Sequence, residues 1–580
     1  MHKPLIWVPI SILLLFVGFA TLLILKINKD LVTDMPIASI NNVHFEKAFT
    51  RPFEPARWVV QVHSTAQVDT TLTVVSRLSY LDQPVTTIEK KIKVSSGEYE
   101  VAFEWLPPKE TPRGYGLDVS LEINNSHFAI KSFGLDVLTS WTQMPRYGFL
   151  SDFEQGRTDV IQTMQNLADL HVNGLQYYDW MYRHETLLTD QEPYIDVLGR
   201  SLSIKTVESL IDAGHAKNIS AMPYTAIYAA SEEFYNQHQD WALYDENGAP
   251  VRLGTDFLVY MDPRVDGKWI DHLFSEFEKV LKQTKFDGIH LDQYGDPKEA
   301  YDNLGTHIPL DEPIAQTITA THALVDRFRD DGAVVFNCVT NWPVEMASAA
   351  DEDIIYIEVW DPYVWFSELH NLIAYAQSLG HNKPVVLAAY VHPGSSANPF
   401  LMDAIIFSSG GGHIEMGENN GYLADPYFPS YDTLNAEQAA LLRRYYDFAV
   451  RYQNLIGPST TEATRQWIDK IKIEGLEVGL NQSADVFALL RESQGRLALN
   501  LVNMTNIGST KWTEPANFPT AATNLHVSVS GMTRTIKSVS FTSADEKVFT
   551  LEPLKFIQTG EQVTFEIPSL KIWDLVVFEY

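Results

Sequence analysis

The spacing of apolar positions changes twice along the chain, and the changes divide it into regions. From 41 to 140 apolar and polar positions alternate: GYGLDVSLEI places Tyr115, Leu117, Val119, Leu121 and Ile123 on one face, and VAFEW does the same with Val101, Phe103 and Trp105. Period two marks half-buried strands, and the turn-like PPKETPRG between these runs completes the pattern of a small β-sandwich. From 144 to 457 short apolar runs alternate with helical segments. One helical stripe joins Val160, Ile161, Met164, Leu167 and Ala168; another joins Ile270, Leu273, Phe274, Phe277 and Val280; a third joins Leu369, Leu372, Ile373 and Ala376. Between such segments lie eight candidate strands: YGFLSDF, VNGLQYYDW, ISAMPYTAIY, FDGIHLDQYG, AVVFNCVTNW, IIYIEVWDP, KPVVLAAYV and GGGHIEMGE. Eight strand–helix units predict a (β/α)8 barrel of the TIM type. From 461 to 580 alternation returns in RLALNLVN, VTFEI and LKIWDLVVFEY, which predicts a C-terminal β-sandwich.

At 580 residues the chain exceeds what one core usually supports, in keeping with a multidomain α/β plus all-β architecture. Residues 1–30 carry a different signal. Leu5 to Leu25 is uncharged and apolar, bounded by Lys3, Lys26 and Lys29, and long enough to cross a bilayer. An uncleaved N-terminal transmembrane helix is expected, anchoring an extracellular body to the cell membrane; the alternative is a secreted protein after signal cleavage.

The net charge of -31 excludes nucleic acid and anionic membrane surfaces as partners, since both would repel the chain. A neutral or cationic ligand fits. Aromatic residues make up 12% of the chain, and rings not needed for the core can stack on sugar faces. The single cysteine, Cys338, lies in an apolar run and reads as a small buried hydrophobe, so no intrachain disulfide forms. No GxGxxG follows a strand, no GxxxxGK[ST] occurs and no HExxH is present. His413 and Glu415 read as an alternating pair on the last strand, and MGENNGYLADPY lacks the spacing of the known calcium loop. Neither a metal nor an organic cofactor is expected.

Barrel enzymes place catalytic side chains at the C-terminal ends of strands. In FDGIHLDQYG, Ile289 and Leu291 share one face while Gly288, His290 and Asp292 share the other, so Asp292 arrives at the barrel mouth. IIYIEVWDP repeats the arrangement, with Ile355, Ile357 and Val359 opposite Tyr356, Glu358 and Trp360. Two such carboxylates suit acid/base or covalent glycosyl chemistry, and each has the alternative of pairing with a cation or capping a helix. His290 is read either as a partner of the carboxylate or a sugar hydroxyl, or as a satisfied core histidine. Trp360 is read as a sugar platform that raises the pKa of Glu358, or as a packed core residue. The dense run YYDWMYRHE makes Asp179 and Trp180 substrate-contact candidates, against a structural salt bridge between Asp179 and Arg183. Tyr224, in the third strand, is a further substrate-binding candidate.

Taken in order, PRYGFLSDF, QYYDWMYRH, FDGIHLDQYG and YIEVWDP resemble the motifs of glycoside hydrolase family 66, the bacterial dextranases and cycloisomaltooligosaccharide glucanotransferases. The resemblance implies an immunoglobulin-like N-terminal domain, a (β/α)8 barrel, a C-terminal β-sandwich and retention of configuration. It implies Asp292 as nucleophile, Glu358 as acid/base, and an α-1,6-glucan or isomaltooligosaccharide substrate. No stretch is long enough for the carbohydrate-binding module that the cyclising members carry inside the barrel, so endo-hydrolysis of dextran is the expected activity. The alternatives are a cyclising or transferring glucanotransferase and a noncatalytic surface glucan-binding protein.

Overall fold

The computed structural model describes residues 37–124, 126–254, 257–394 and 396–580. Its centre is a parallel eight-stranded sheet in sequential order: β1 (Tyr147–Leu150), β2 (Gly174–Tyr177), β3 (Ser220–Ala226), β4 (Gly288–Asp292), β5 (Ala333–Val339), β6 (Ile354–Glu358), β7 (Val385–Ala388) and β8 (Gly412–His413). All eight strands lie within the eight apolar runs. A helix follows each in turn: α1 (Val160–Asp169), α2 (Ile204–His215), α3 (Lys268–Gln283), α4 (Asp311–Val325), α5 (Val344–Ala347), α6 (Phe366–Leu379), α7 (Asn398–Ser408) and α8 (Ala436–Arg451). The sheet comes near to closing on itself between β1 and the chain beyond β8. Phe149 N donates to Met416 O at 3.1 Å, and the buried Glu418 accepts from Ser151 N at 2.8 Å and Asp152 N at 2.9 Å while pairing with Arg157.

Alternation along the strands sorts the barrel into two layers. Ile289, Leu291, Ile355, Ile357 and Val359 pack outward against the helices, while Tyr147, Val335, Ile354, Tyr356, Val386 and Ile414 fill the interior. The predicted helical stripes match the buried faces of α3 and α6. On α1 the expectation fails at Ile161, which is 71% exposed: Met164, Leu167 and Ala168 already cover the strands, and Ile161 falls beyond the edge of their stripe.

Two antiparallel sheets precede the barrel, one of three strands within 38–105 and one of four within 70–137, and they enclose a shared apolar core. Trp58 Nε1 donates to Ser76 Oγ between them at 3.2 Å. The outer face of the four-stranded sheet is not solvated, because α8 lies on it: Arg451 donates to Asp118 at 2.9 Å and Gly134 N donates to Asp447 at 2.9 Å. Gly114 permits this approach, since a Cβ there would overlap the Val450 carbonyl oxygen. After the barrel, a seven-stranded and a four-stranded sheet enclose another apolar core.

The expected transmembrane helix drops out of the architecture. Among the described residues no helix is long and apolar enough to cross a membrane, and Leu5–Leu25 lies outside them. The structure therefore gives no support to membrane anchoring or to a membrane partner.

Candidate functional site

The mouth of the barrel opens into a cleft of about 400 Å³ whose floor is formed by the ends of β4, β5 and β6. Strand register makes the arrangement. Leu291 pairs with Phe336 and Val339 pairs with Glu358, so Asn337, on the inward parity of β5, rises between the carboxylates of β4 and β6. Its amide nitrogen donates to Asp292 Oδ1 at 2.7 Å and to Glu358 Oε2 at 3.0 Å. Because one nitrogen makes both bonds, the facing oxygens are no further apart than those two lengths end to end. That agrees with the separation of about 5–5.5 Å that retaining glycosidases need and is too short for the water-admitting gap of about 6.5 Å or more in inverting ones.

Each carboxylate has a second, tyrosine partner. Tyr224 donates to Asp292 Oδ2 at 2.7 Å, and Tyr390, just beyond β7, donates to Glu358 Oε1 at 2.8 Å. Burial raises the pKa of both acids. Asp292 is pushed up to about 7, first by burial and then by the charge of Glu358, against the hydrogen bonds from Tyr224 and Asn337. Glu358 is raised by burial, against hydrogen bonds from Asn337, Tyr390 and Trp360. The pair is thus disposed to hold one proton near neutral pH.

The walls of the cleft are aromatic. Tyr178 stacks on Phe428 at 4.3 Å on one side; on the other, Trp360 is 38% exposed with its ring 5.6 Å from that of Tyr390. Two buried acceptors at the floor, Gln176 Oε1 and Asn337 Oδ1, have no hydrogen-bond partner.

Of the residues singled out in the sequence, Asp292, Glu358, Tyr224 and Trp360 meet in this cleft. Trp360 offers a platform, but its hydrogen bond opposes the rise in the pKa of Glu358; burial as a whole causes that rise. Three other candidates lie elsewhere. His290 sits within the barrel, bonded through Nδ1 to Tyr147 Oη at 3.0 Å and edge-on to Tyr356, with burial lowering its pKa to about 3; it is a core histidine and bonds neither Asp292 nor the cleft. Trp180 is fully buried against Phe286, its indole donating to Tyr224 O at 3.2 Å, so it props the strand that carries Tyr224. Asp179 is buried beside Arg200, at 3.6 Å, rather than Arg183, whose guanidinium donates to Ile195 O at 2.8 Å.

The run YYDWMYRHE does reach the cleft, through Tyr178. Asp179 takes a left-handed backbone conformation, with φ at 50°, which breaks the alternation and turns Trp180 into the core. Asn337 and Tyr390 were missed altogether. A polar residue at inward parity in AVVFNCV was the available signal for Asn337; nothing local marks Tyr390.

Comparison with known proteins follows the same lines. Glycosyl hydrolase family 66 matches residues 45–577. A cycloisomaltooligosaccharide glucanotransferase of Niallia circulans is 22% identical over 86% of this chain and 67% of its own length, and a dextranase of Streptococcus salivarius is 20% identical over 88% of this chain and 72% of its own. A Paenibacillus cycloisomaltooligosaccharide glucanotransferase, solved in complex with cycloisomaltoheptaose, superposes with a TM-score of 0.87 at 21% identity, covering 93% of this chain and 99% of that one. These relatives overturn the expectation of strict endo-hydrolysis, since glucanotransferases match at least as well as the dextranase. The matched residues run from the first β-sheet to the last strand and include the carboxylate pair: the chain is a glycoside-acting enzyme and belongs to glycosyl hydrolase family 66.

Proposed function

We propose that the protein is a glucanotransferase of the cycloisomaltooligosaccharide-forming type, transferring α-1,6-linked glucosyl chains through a covalent intermediate. The observation that carries the mechanism is the single Asn337 amide bridging Asp292 and Glu358. Asp292 attacks the anomeric carbon while Glu358 protonates the departing glycosidic oxygen, leaving a glycosyl ester on Asp292. Glu358, now a carboxylate, takes the proton of an incoming sugar hydroxyl as that oxygen attacks the anomeric carbon. The ester bond breaks, and both acids return to their starting states. Attack by the far end of the same chain closes a ring; attack by another chain lengthens it.

Trp360 stands on the Glu358 side of the cleft, where the leaving group departs and the acceptor arrives, and an exposed indole there favours a sugar over water. The unpartnered Gln176 Oε1 suits a donor-sugar hydroxyl. Incubation with dextran and isomaltooligosaccharides, followed by mass spectrometry, tests the reading. Products lacking a reducing end, or longer than the starting chain, are expected. Shorter linear reducing products alone would refute transfer.

Asn337 holds both acids without itself exchanging a proton, so Asn337→Ala is expected to lower kcat about 100-fold, the size of effect that follows small misplacement of reacting groups. KM should change much less, because the substituted group lies beneath the reacting bond; steady-state kinetics on isomaltooligosaccharides separates the two. An equal rise in KM with kcat preserved would assign Asn337 to substrate binding instead.

A further inference from the structure

On the helix side of β8 a second cluster of ionisable groups lies behind the cleft wall. His413 and Glu415 face outward while Ile414 between them faces the barrel interior, and α7 brings Asp403 against the pair. All three are buried, and one ligand atom from each lies within 4.8 Å of the others. His413 Nδ1 is 3.0 Å from Asp403 Oδ1 and 3.2 Å from Glu415 Oε2. The sequence showed only an alternating His–Glu pair; the third member comes from a helix ten residues earlier.

The hydrogen bonds around the cluster leave buried polar atoms without partners. His413 Nε2 faces the Ala389 carbonyl at 3.3 Å, which can only accept, so Nε2 carries the proton. In the neutral ring Nδ1 then points a lone pair at two carboxylates. A single N–H there would have to serve both carboxylates, so the buried oxygens around it outnumber the donors. Asp403 Oδ2 and Glu415 Oε2 have no hydrogen-bond partner, and the hydroxyl of the buried Tyr422, whose ring stands edge-on to His413 at 6.4 Å, lies beside Glu415. Tyr446 braces the other Glu415 oxygen at 2.8 Å. A histidine oriented by a backbone carbonyl, beside a carboxylate held by a hydroxyl, is how proteins prepare metal ligands.

We propose that Asp403, His413 and Glu415 bind one divalent cation of the zinc or manganese type, with the Tyr422 hydroxyl as an adjacent fourth donor. Two carboxylates balance its charge and neutral Nδ1 gains a partner. A nitrogen ligand and so few oxygens do not suit calcium, which takes roughly six to eight oxygen ligands. The cation is structural. It ties β8 to α7 and, through His413 and the Ala389 carbonyl, steadies the turn whose next residue, Tyr390, donates to Glu358.

The test is metal content of the full chain, made without a histidine tag in medium depleted of transition metals or supplemented with zinc and manganese, and measured by plasma mass spectrometry. About one equivalent is expected from supplemented medium, since folding around such a site couples to metal uptake. That preparation should melt several degrees higher than the depleted one. Glu415→Gln should lose the metal. Metal far below stoichiometry in the supplemented protein would overturn the proposal and leave a cluster that shares protons, and retention of the full equivalent by Glu415→Gln would place the metal elsewhere. The stoichiometry of the unaltered chain decides even if the variant does not fold.

Discussion

Replacing Asp292 with asparagine should abolish glycosyl transfer, lowering turnover by about four orders of magnitude, as loss of a covalent nucleophile does. The same change should make the protein harder to melt above neutral pH. Both expectations come from one environment. Asp292 is buried at the cleft floor, accepts from Tyr224 and Asn337, and faces Glu358 through that shared amide. These bonds orient the carboxylate, but burial outweighs them and pushes its pKa from 3.8 to about 7. Between those two values the folded chain keeps a proton that the unfolded chain has released, so wild-type stability falls as pH rises through that window and the penalty is complete above it. Asparagine carries no such penalty. The melting temperature of Asp292→Asn should therefore exceed that of the wild type at pH 8, and the difference should close toward pH 4. Activity within tenfold of wild type would exclude Asp292 as the nucleophile; an unchanged difference in melting temperature between pH 4 and pH 8 would show that its carboxyl is not raised.

What the sequence disclosed of this site, and what it hid, depends on how far each signal travels along the chain. Buried parallel strands are apolar on both faces, so each of the eight announced itself as a short run, and a polar group at its C-terminal end stood out. Asp292 and Glu358 were legible for that reason. Asn337 sits inside such a run, where its role depends on the register of β5 against β4 and β6, a relation that no local pattern records. Tyr390 reaches Glu358 from 32 positions away, and Asp403 meets His413 only because α7 folds back over β8.

The candidates that lie away from the cleft have an equally physical origin. His290 has the inward parity of Asp292, but one layer lower the barrel is packed with Tyr147 and Tyr356, and the histidine is satisfied there. Trp180 belongs to the right loop with the wrong orientation, since the left-handed turn at Asp179 exchanges it with Tyr178. Periodicity predicts a face only while the backbone keeps its regular dihedrals, and functional loops begin where it stops.

Glu358→Ala should separate the two halves of the reaction. On isomaltooligosaccharides the variant is expected to lose about 1,000-fold or more in turnover, since an unactivated sugar cannot leave without the proton that Glu358 supplies. An activated aryl α-isomaltooligoside needs no such proton. With that donor Asp292 should still be glycosylated, and the ester should persist because no base remains to prepare a hydroxyl acceptor. Azide needs no base. It is small enough to enter the space vacated by the carboxylate, and it must approach from the face opposite Asp292, so it should restore turnover and yield the α-glycosyl azide. The configuration of that product tests the assignment more stringently than any rate. A β-azide would mean that the anion had replaced the nucleophile, reversing the roles of Asp292 and Glu358, while no azide adduct at all would remove Glu358 from the acid/base position. The location of the residue already limits the outcomes: Glu358 shares Asn337 with Asp292, is held by Tyr390 on its other oxygen, and lies on the side of the cleft where Trp360 stands open to an acceptor. Removing the carboxylate there opens a channel to the anomeric carbon from the acceptor face, which is why rescue with retained configuration is the expected result.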